Sequence, residues 1–226
     1  MKTILFYMVA LFVGLLIFLG LPLLGWGLGN IPQFFDNPAR LTFAIVILFL
    51  QLFSIVYNPQ VGRNKDDRKS GVEQHRLDLV LIQVFSLALV LLAPFSDSHA
   101  FGVFNFGNTI RFWGFILLIP GFVFMQMAEK YLGRQFSIEV TLQKDHQLIQ
   151  GGPYRFIRHP RYLGILAFFT GIAVVFRSWL AILVVSALGI VLIWRVYAEE
   201  ALMQQEFGAA WEAYCKKSWR ILPFVF

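Results

Sequence analysis

Two clusters in the last third of the chain carry residue types that can do chemistry. The first is GGPYRFIRHPRYLG, Gly151 to Gly164. Gly151 and Gly152 permit backbone angles closed to other residues and let a ligand come close. Pro160 fits the first turn of a helix, where its missing N–H costs nothing. Such a helix start leaves backbone N–H groups for an anion, with His159 beside them. Arg155, Arg158 and Arg161 crowd the same stretch, and a basic membrane-surface loop followed by an ordinary helix start explains it equally well. The second cluster is RVYAEEALMQQEFGAAWEAY, Arg195 to Tyr214. Arg195 and Glu199 lie four apart on one helix face. An exposed pair of this kind is worth about 0.5 kcal/mol and needs one carboxylate. Glu200 supplies a second, which argues for more than a bridge at a helix end. Met203, Phe207, Trp211 and Tyr214 recur at helical spacing and predict an amphipathic helix at the membrane interface.

The composition says that the elements holding these residues lie in a membrane. Of 226 residues, 58% are hydrophobic and 14% charged, and 25 are phenylalanine. An ordinary soluble domain has roughly 45–50% apolar and 25% charged residues. A soluble enzyme, a disordered chain and a disulfide-stapled secreted domain are all excluded. Cys215 is alone, so neither an internal disulfide nor a cysteine metal cluster is expected. His75, His99 and His146 fall in separate loops without metal-ligand spacing, so no metal site is expected. There is no phosphate-binding glycine loop and no nucleophile elbow, and Gly25, Gly27 and Gly29 lack the helix pattern of a dinucleotide fingerprint. The net charge of +6 reports topology before it reports a nucleic-acid partner, and none is expected.

A crossing needs about 20 mostly apolar residues. Thr3–Gly27, Ala39–Tyr57, Leu77–Phe95 and Thr109–Ala128 qualify directly. The apolar region Tyr162–Trp194 would be about 50 Å long as one helix, too long for one crossing. Arg177-Ser178 splits it into Pro160–Phe176 and Trp179–Ala198, making six spans. With the amino terminus inside, 16 of the 19 basic residues fall on the inner face, and only Arg40, Arg111 and Arg177 fall outside. This is the asymmetry the positive-inside rule describes. The expected fold is therefore all-α: a polytopic membrane bundle of about six transmembrane helices, both termini cytosolic, with a C-terminal amphipathic helix. Glu129, Lys130 and Arg134 read as an inner-face charge cluster, and Pro94 and Pro120 as bends or ends of helices.

LGRQFS (Leu132–Ser137), HQLIQGGPYRFIRHPRYLG (His146–Gly164), RVYAEEALMQQEFGAAWEAY and a terminal RILP (Arg220–Pro223) follow one another in that order. Together they resemble the isoprenylcysteine carboxyl methyltransferase family and its relatives, the phospholipid N-methyltransferases. The likeness covers about the last 95 residues, and the first 128 match only as hydrophobic helices. It implies a membrane methyltransferase using S-adenosylmethionine. Residues 1–128 would form four spans for acceptor access, and 129–226 a catalytic region with a helical hairpin and a cytosolic tail. By resemblance, Gly152, Pro153, Tyr154, His159, Pro160 and Tyr162 wrap the cofactor, Glu199 and Glu200 help to bind it, and Arg195 is needed for activity. The Gly-x-Gly segment of phospholipid methyltransferases is not evident, because Gly114 and Gly121 are too far apart.

The residues fit that chemistry. A carboxylate suits the ammonium of S-adenosylmethionine, and backbone N–H groups suit its carboxylate. In-line methyl transfer is mainly alignment and removal of water; Arg195, which the resemblance marks as needed for activity, and Glu199 are the candidate catalytic residues. A carboxylate acceptor needs no base and could be held by Arg195. An amine acceptor needs one, from Glu199, Glu200 or His159, and a thiol must become a thiolate. A small hydrophobic or lipid-linked acceptor could enter sideways from the membrane lipids. The expected location is a bacterial inner membrane or an ER-type membrane, with the site facing the cytosol. Two alternatives remain: an NADPH-dependent sterol-reductase-like enzyme, whose tail is similar, and a transporter or structural membrane protein. Spans two to four lack midspan charges, which disfavours transport.

Overall fold

The computed structural model describes residues 2–57, 76–133 and 147–225. The basic stretch from 58 to 75, with His75, lies outside the described residues, as do Arg134, the end of the LGRQFS motif and His146.

Helix α1 (Lys2–Leu15) runs through a π-helical turn, Leu16–Gly20, into α2 (Leu21–Trp26). Pro22 supplies no N–H to the ladder there, and the wider turn absorbs the missing bond. Short α3 (Ile31–Asp36) leads to α4 (Pro38–Tyr57), α5 (Arg76–Ser98) and α6 (Thr109–Leu132). Pro94 and Pro120 lie inside α5 and α6 and end neither helix. Helix α7 (Pro160–Val175) and the long α8 (Trp179–Phe207) form a hairpin, followed by α9 (Ala209–Cys215). Five helical stretches are long and apolar enough to cross a membrane: Leu5–Trp26, Pro38–Tyr57, Leu77–Ser98, Thr109–Leu132 and Trp179–Phe207. Helix α7 is apolar but shorter, at 16 residues.

The hairpin turns where Arg177-Ser178 interrupts the apolar run. Arg177 takes a left-handed φ of 53°. Ser178 Oγ accepts the Ala181 N–H at 3.0 Å and caps α8. The expected C-terminal amphipathic helix is not a single element. Helix α8 continues past Ala198 to Phe207, and Gly208, at φ 49°, turns the chain into α9. Met203 and Phe207 therefore belong to α8, whereas Trp211 and Tyr214 belong to α9 and are buried. The 3.6-residue spacing ran through a glycine whose left-handed conformation breaks the helix.

Helices α6 and α7 pack antiparallel on glycines. A Cβ on Gly114 would lie 2.6 Å from the Gly171 carbonyl oxygen, and one on Gly164 would lie 2.7 Å from that of Gly121. The two pairs let the backbones touch at two levels, seven residues apart on each helix. Phe122, Phe168, Ile172, Leu188 and Leu192 fill the core around this contact, while Phe12, Phe49, Val56 and Ile190 point outward as lipid-facing side chains do.

Charge gathers at the two ends of the bundle. At one end, Arg40, Arg111 and Arg177 from α4, α6 and the hairpin turn converge on the buried Asp97 of α5. The loop before α6 is stitched to that turn by Phe104 N–H to Arg177 O (2.8 Å) and Trp179 N–H to Gly102 O (2.7 Å). At the other end, Asp78 of α5 meets Arg195 of α8 at 2.9 Å. The two aspartates are separated by about 28 Å of helix, close to the ~30 Å of a hydrocarbon core.

Candidate active site

The Asp78 end holds most of the singled-out residues. Helix α7 starts at Pro160 without a side-chain cap, directly after His159. Its first turn aims Tyr162 at α8. On α8, Arg195 and Glu199 share the face turned to Tyr162, and Glu200 faces His159.

These side chains form one continuous chain of contacts. Asp78 Oδ2 accepts from Arg195 Nη1 at 2.9 Å. Arg195 Nε donates to the Tyr162 hydroxyl at 2.8 Å and to Glu199 Oε1 at 2.9 Å. The Tyr162 hydroxyl in turn donates to Glu199 Oε1. His159 bridges the glutamates, its Nδ1 3.4 Å from Glu199 Oε2 and its Nε2 3.3 Å from Glu200 Oε1. Its ring lies parallel to that of Tyr162, centroids 5.6 Å apart. Glu200 also takes Arg158 Nε on Oε1 at 2.9 Å and Arg220 Nε on Oε2 at 2.8 Å.

The tail locks this end. Trp219 pairs as a parallel bridge with Ile157. Arg158 N–H donates to Trp219 O at 2.7 Å, and His159 N–H to Arg220 O at 2.9 Å. Arg158 Nη1 donates to the carbonyls of Cys215 and Ser218. Arg220 reaches past this bridge to Glu200 and lies 5.0 Å above the Tyr197 ring.

Of the expected site residues, His159, Tyr162, Arg195, Glu199 and Glu200 come together. Pro160 only shapes the helix start. Gly152, Pro153 and Tyr154 form an adjoining 3-10 turn, Gly152–Arg155, whose contacts run elsewhere. Gly152 takes a left-handed φ of 56° with Tyr131 packed against it, so that an added Cβ would fall 2.4 Å from that ring. Tyr154 donates its hydroxyl to Ala128 O at 3.3 Å, and its own carbonyl accepts from Tyr214 at 2.6 Å. The inner-face cluster is partly described: Glu129 pairs with Arg161 at 2.8 Å, and Lys130 lies over the Tyr57 ring at 3.9 Å. Asp78 was missed; its signal is one carboxylate between Leu77 and Leu79 at the start of an apolar run. Arg158 and Arg220 were visible within the motifs, but not as ligands of Glu200.

The two glutamates differ. The Glu200 side chain is only 9% exposed and has both oxygens engaged by cations. The Glu199 side chain is 21% exposed, and its Oε2 has only His159 beside it, at 3.4 Å. That oxygen keeps acceptor capacity. Burial lowers the affinity of His159 for a proton, but the hydrogen bonds and charges of Glu199 and Glu200 outweigh it. The imidazole pKa is raised above 6.5. Burial pushes the Tyr214 hydroxyl up to about 12.

The arrangement suits a ligand with an ammonium group and an anionic end. An ammonium fits Oε2 of Glu199. The start of α7 does not offer the expected N–H groups: Pro160 has none, and those of Tyr162 and Leu163 already donate to His159 O at 3.1 and 3.3 Å. Arg195, held from behind by Asp78, is a fixed cation for an anion.

A family model described as phospholipid methyltransferase matches residues 109–210. A probable protein-S-isoprenylcysteine O-methyltransferase of Oryza sativa subsp. indica is 27% identical over 149 residues, covering 63% of this chain and 76% of that protein. Protein-S-isoprenylcysteine O-methyltransferase A of Arabidopsis thaliana is 29% identical over 161 residues, 68% of this chain and 75% of that one. The Saccharomyces cerevisiae protein of the same name is 26% identical over 222 residues, covering 90% and 87%. The fold matches the solved structure of a eukaryotic intramembrane Ras methyltransferase, isoprenylcysteine carboxyl methyltransferase. The TM-score is 0.56 at 21% identity, over 97% of this chain and 74% of that one. The chain is thus an integral membrane protein of that helical fold, and its chemistry requires a methyl donor.

Proposed function

We propose that the chain is a membrane methyltransferase of the isoprenylcysteine carboxyl methyltransferase type, which its likeness to those proteins supports, and that it methylates the carboxylate of a lipid-linked, prenylcysteine-type acceptor using S-adenosylmethionine. The observation that carries this reading is the pairing of a part-exposed glutamate with a braced arginine: Glu199 Oε2 has only His159 beside it, and Arg195 is pinned by Asp78 and Tyr162.

S-adenosylmethionine, when bound, supplies an activated methyl group on a sulfonium. Glu199 holds its ammonium. Glu200 acts one step back: with Arg158 and Arg220 it fixes His159 and the 156–159 segment. Arg195 orients the acceptor carboxylate, and the surrounding apolar helices exclude water, which favours loss of the sulfonium charge. His159 has a carboxylate beside each ring nitrogen, which favours its protonated form, and in that form it cannot act as a base. This favours an acceptor already anionic over an amine that must first lose a proton.

The site lies at the end of the bundle that carries Lys130, Arg155, Arg158, Arg161, Lys216, Lys217 and Arg220. That supports a cytosolic site in a bacterial inner membrane or ER-type membrane. The donor then enters from water and the acceptor from between the helices. The name of the matching family model gives a second reading, methylation of a phospholipid amine.

The test is calorimetric titration of the purified, detergent-solubilised protein with S-adenosylmethionine, with NADPH in parallel. We expect saturable binding of S-adenosylmethionine alone, weakened by Glu199→Gln by more than about 1 kcal/mol. Unchanged affinity removes Glu199 from the site, and binding of NADPH alone selects a reductase. Transfer of labelled methyl to a prenylcysteine but not to its carboxamide, giving a base-labile ester, supports the carboxylate. A base-stable product on phosphatidylethanolamine selects the amine.

A further inference from the structure

The end of the bundle remote from the active site carries charge that its own residues do not balance. Asp97 takes both Arg111 Nη1 and Nη2 at 2.7 Å, a complete two-point ion pair. Arg40 adds a bond at 3.2 Å and spends its other donors on the carbonyls of Phe34 (2.9 Å) and Gln33 (2.8 Å). Arg111 likewise donates to Asn108 Oδ1 at 3.1 Å and Val175 O at 2.9 Å. Arg177 differs from both. It reaches Asp97 by a single bond of 3.2 Å, and its Nε has no acceptor. Its side chain is 22% exposed, against 11% for Arg40 and 2% for Arg111. Among the described residues no other carboxylate pairs with any of the three. Three guanidinium groups therefore share one negative charge at the edge of a low-dielectric bundle, where uncompensated charge is costly.

Two further features set Arg177 apart. Its φ of 53° is a conformation that glycine adopts freely and arginine does not, so the turn alone gives no reason for arginine there. Beside the turn, Trp179 is exposed and is of the type found at headgroup depth, with the exposed apolar rings of Phe101 and Phe106 nearby in the sequence.

We infer that Arg177, backed by Arg40 and Arg111, binds a phosphate oxyanion as presented by the headgroup of an anionic phospholipid. A planar guanidinium matches the geometry of a phosphate. Asp97 assembles the three cations but leaves two charges unanswered. Inorganic phosphate shares this chemistry, so the test must separate the two sources.

Thermal unfolding of the full chain would be followed in neutral detergent with added phosphatidylglycerol, phosphatidylcholine or inorganic phosphate, and lipid retention by native mass spectrometry. The key variant is Arg177→Gly, which removes the cation while relieving the left-handed turn, so folding is preserved. Phosphatidylglycerol should raise the melting temperature of the wild type above that in phosphatidylcholine. Arg177→Gly should lose that rise and bind phosphatidylglycerol about fivefold more weakly, with its methyl transfer unchanged. Equal stabilisation by inorganic phosphate supports the oxyanion site and assigns its occupant to solution. Equal phosphatidylglycerol binding by wild type and Arg177→Gly overturns the proposal, as does a wild type that does not distinguish phosphatidylglycerol from phosphatidylcholine.

Discussion

Asp78→Asn removes one buried negative charge while keeping the side-chain volume and one acceptor oxygen. Asp78 is fully buried in the first turn of α5, and its Oδ2 holds Arg195 Nη1 at 2.9 Å across to α8. Removing one partner of a buried ion pair costs about 3–5 kcal/mol. Here Arg195 keeps Tyr162 at 2.8 Å and Glu199 at 2.9 Å. Asparagine also retains an oxygen, so the expected loss is about 2–3 kcal/mol. Turnover should suffer more than folding. Arg195 would swing toward Glu199, and a misplacement of about 1 Å at a reacting centre costs about a hundredfold. The assay is transfer of labelled methyl at saturating donor, alongside calorimetric donor binding and thermal unfolding. We expect kcat to fall about a hundredfold and donor affinity to move by less than about threefold, because Oε2 of Glu199 is untouched. Adding Arg195→Met should recover stability by removing the orphaned cation, without recovering turnover. If the activity lost by Asp78→Asn only tracks the fraction unfolded, Asp78 is a structural brace and the positioning argument fails.

Two other perturbations test the site and the helices that carry it. Because the pKa of His159 is raised above 6.5, its ion pairs contribute fully below pH 6.5 and are lost as pH rises through the raised value. Melting temperature and donor affinity should therefore decline toward alkaline pH, and His159→Gln should flatten both curves; a flat wild-type profile refutes the bridge. Gly164→Val puts a side chain 2.7 Å from Gly121 O and 2.8 Å from Met125 N, both backbone atoms that cannot yield. It should cost about 1–3 kcal/mol by prising α7 from α6, and weaken donor binding through Tyr162. Gly189→Ala meets only Leu166, at 3.7 Å, and should leave denaturation unchanged or shifted slightly upward. Equal effects of the two would remove the close glycine contact as the cause.

The helices were legible because a membrane makes the code simple: long apolar runs, and a break where Arg177-Ser178 intrudes. The site was legible where chemistry clusters locally, as in His159 with Tyr162 or Arg195 with Glu199 and Glu200. What escaped depends on partners far away in sequence. Asp78 is 117 positions from Arg195, and one carboxylate at the head of a span reads as an ordinary favourable helix N-terminus. Gly114 and Gly121 looked like a failed glycine motif until Gly164 and Gly171 appeared opposite them. The parallel pairing of Trp219 with Ile157 leaves no periodic trace. Arg40, Arg111 and Arg177 counted only as exceptions to the charge rule, since nothing local announces their shared partner.

The linked ion pairs from Asp78 through Arg195, Glu199, His159 and Glu200 to Arg158 and Arg220 constrain how this protein can diverge. Each member answers a buried neighbour, so a lone neutral replacement strands the other partner, and that is the costly event. Coupled replacements avoid the penalty. Among descendants of this chain, residues 78 and 195 should change together or not at all, and 158, 200 and 220 should change as a group. Position 199, with only His159 beside one of its oxygens, answers to its ligand as well as to its neighbours.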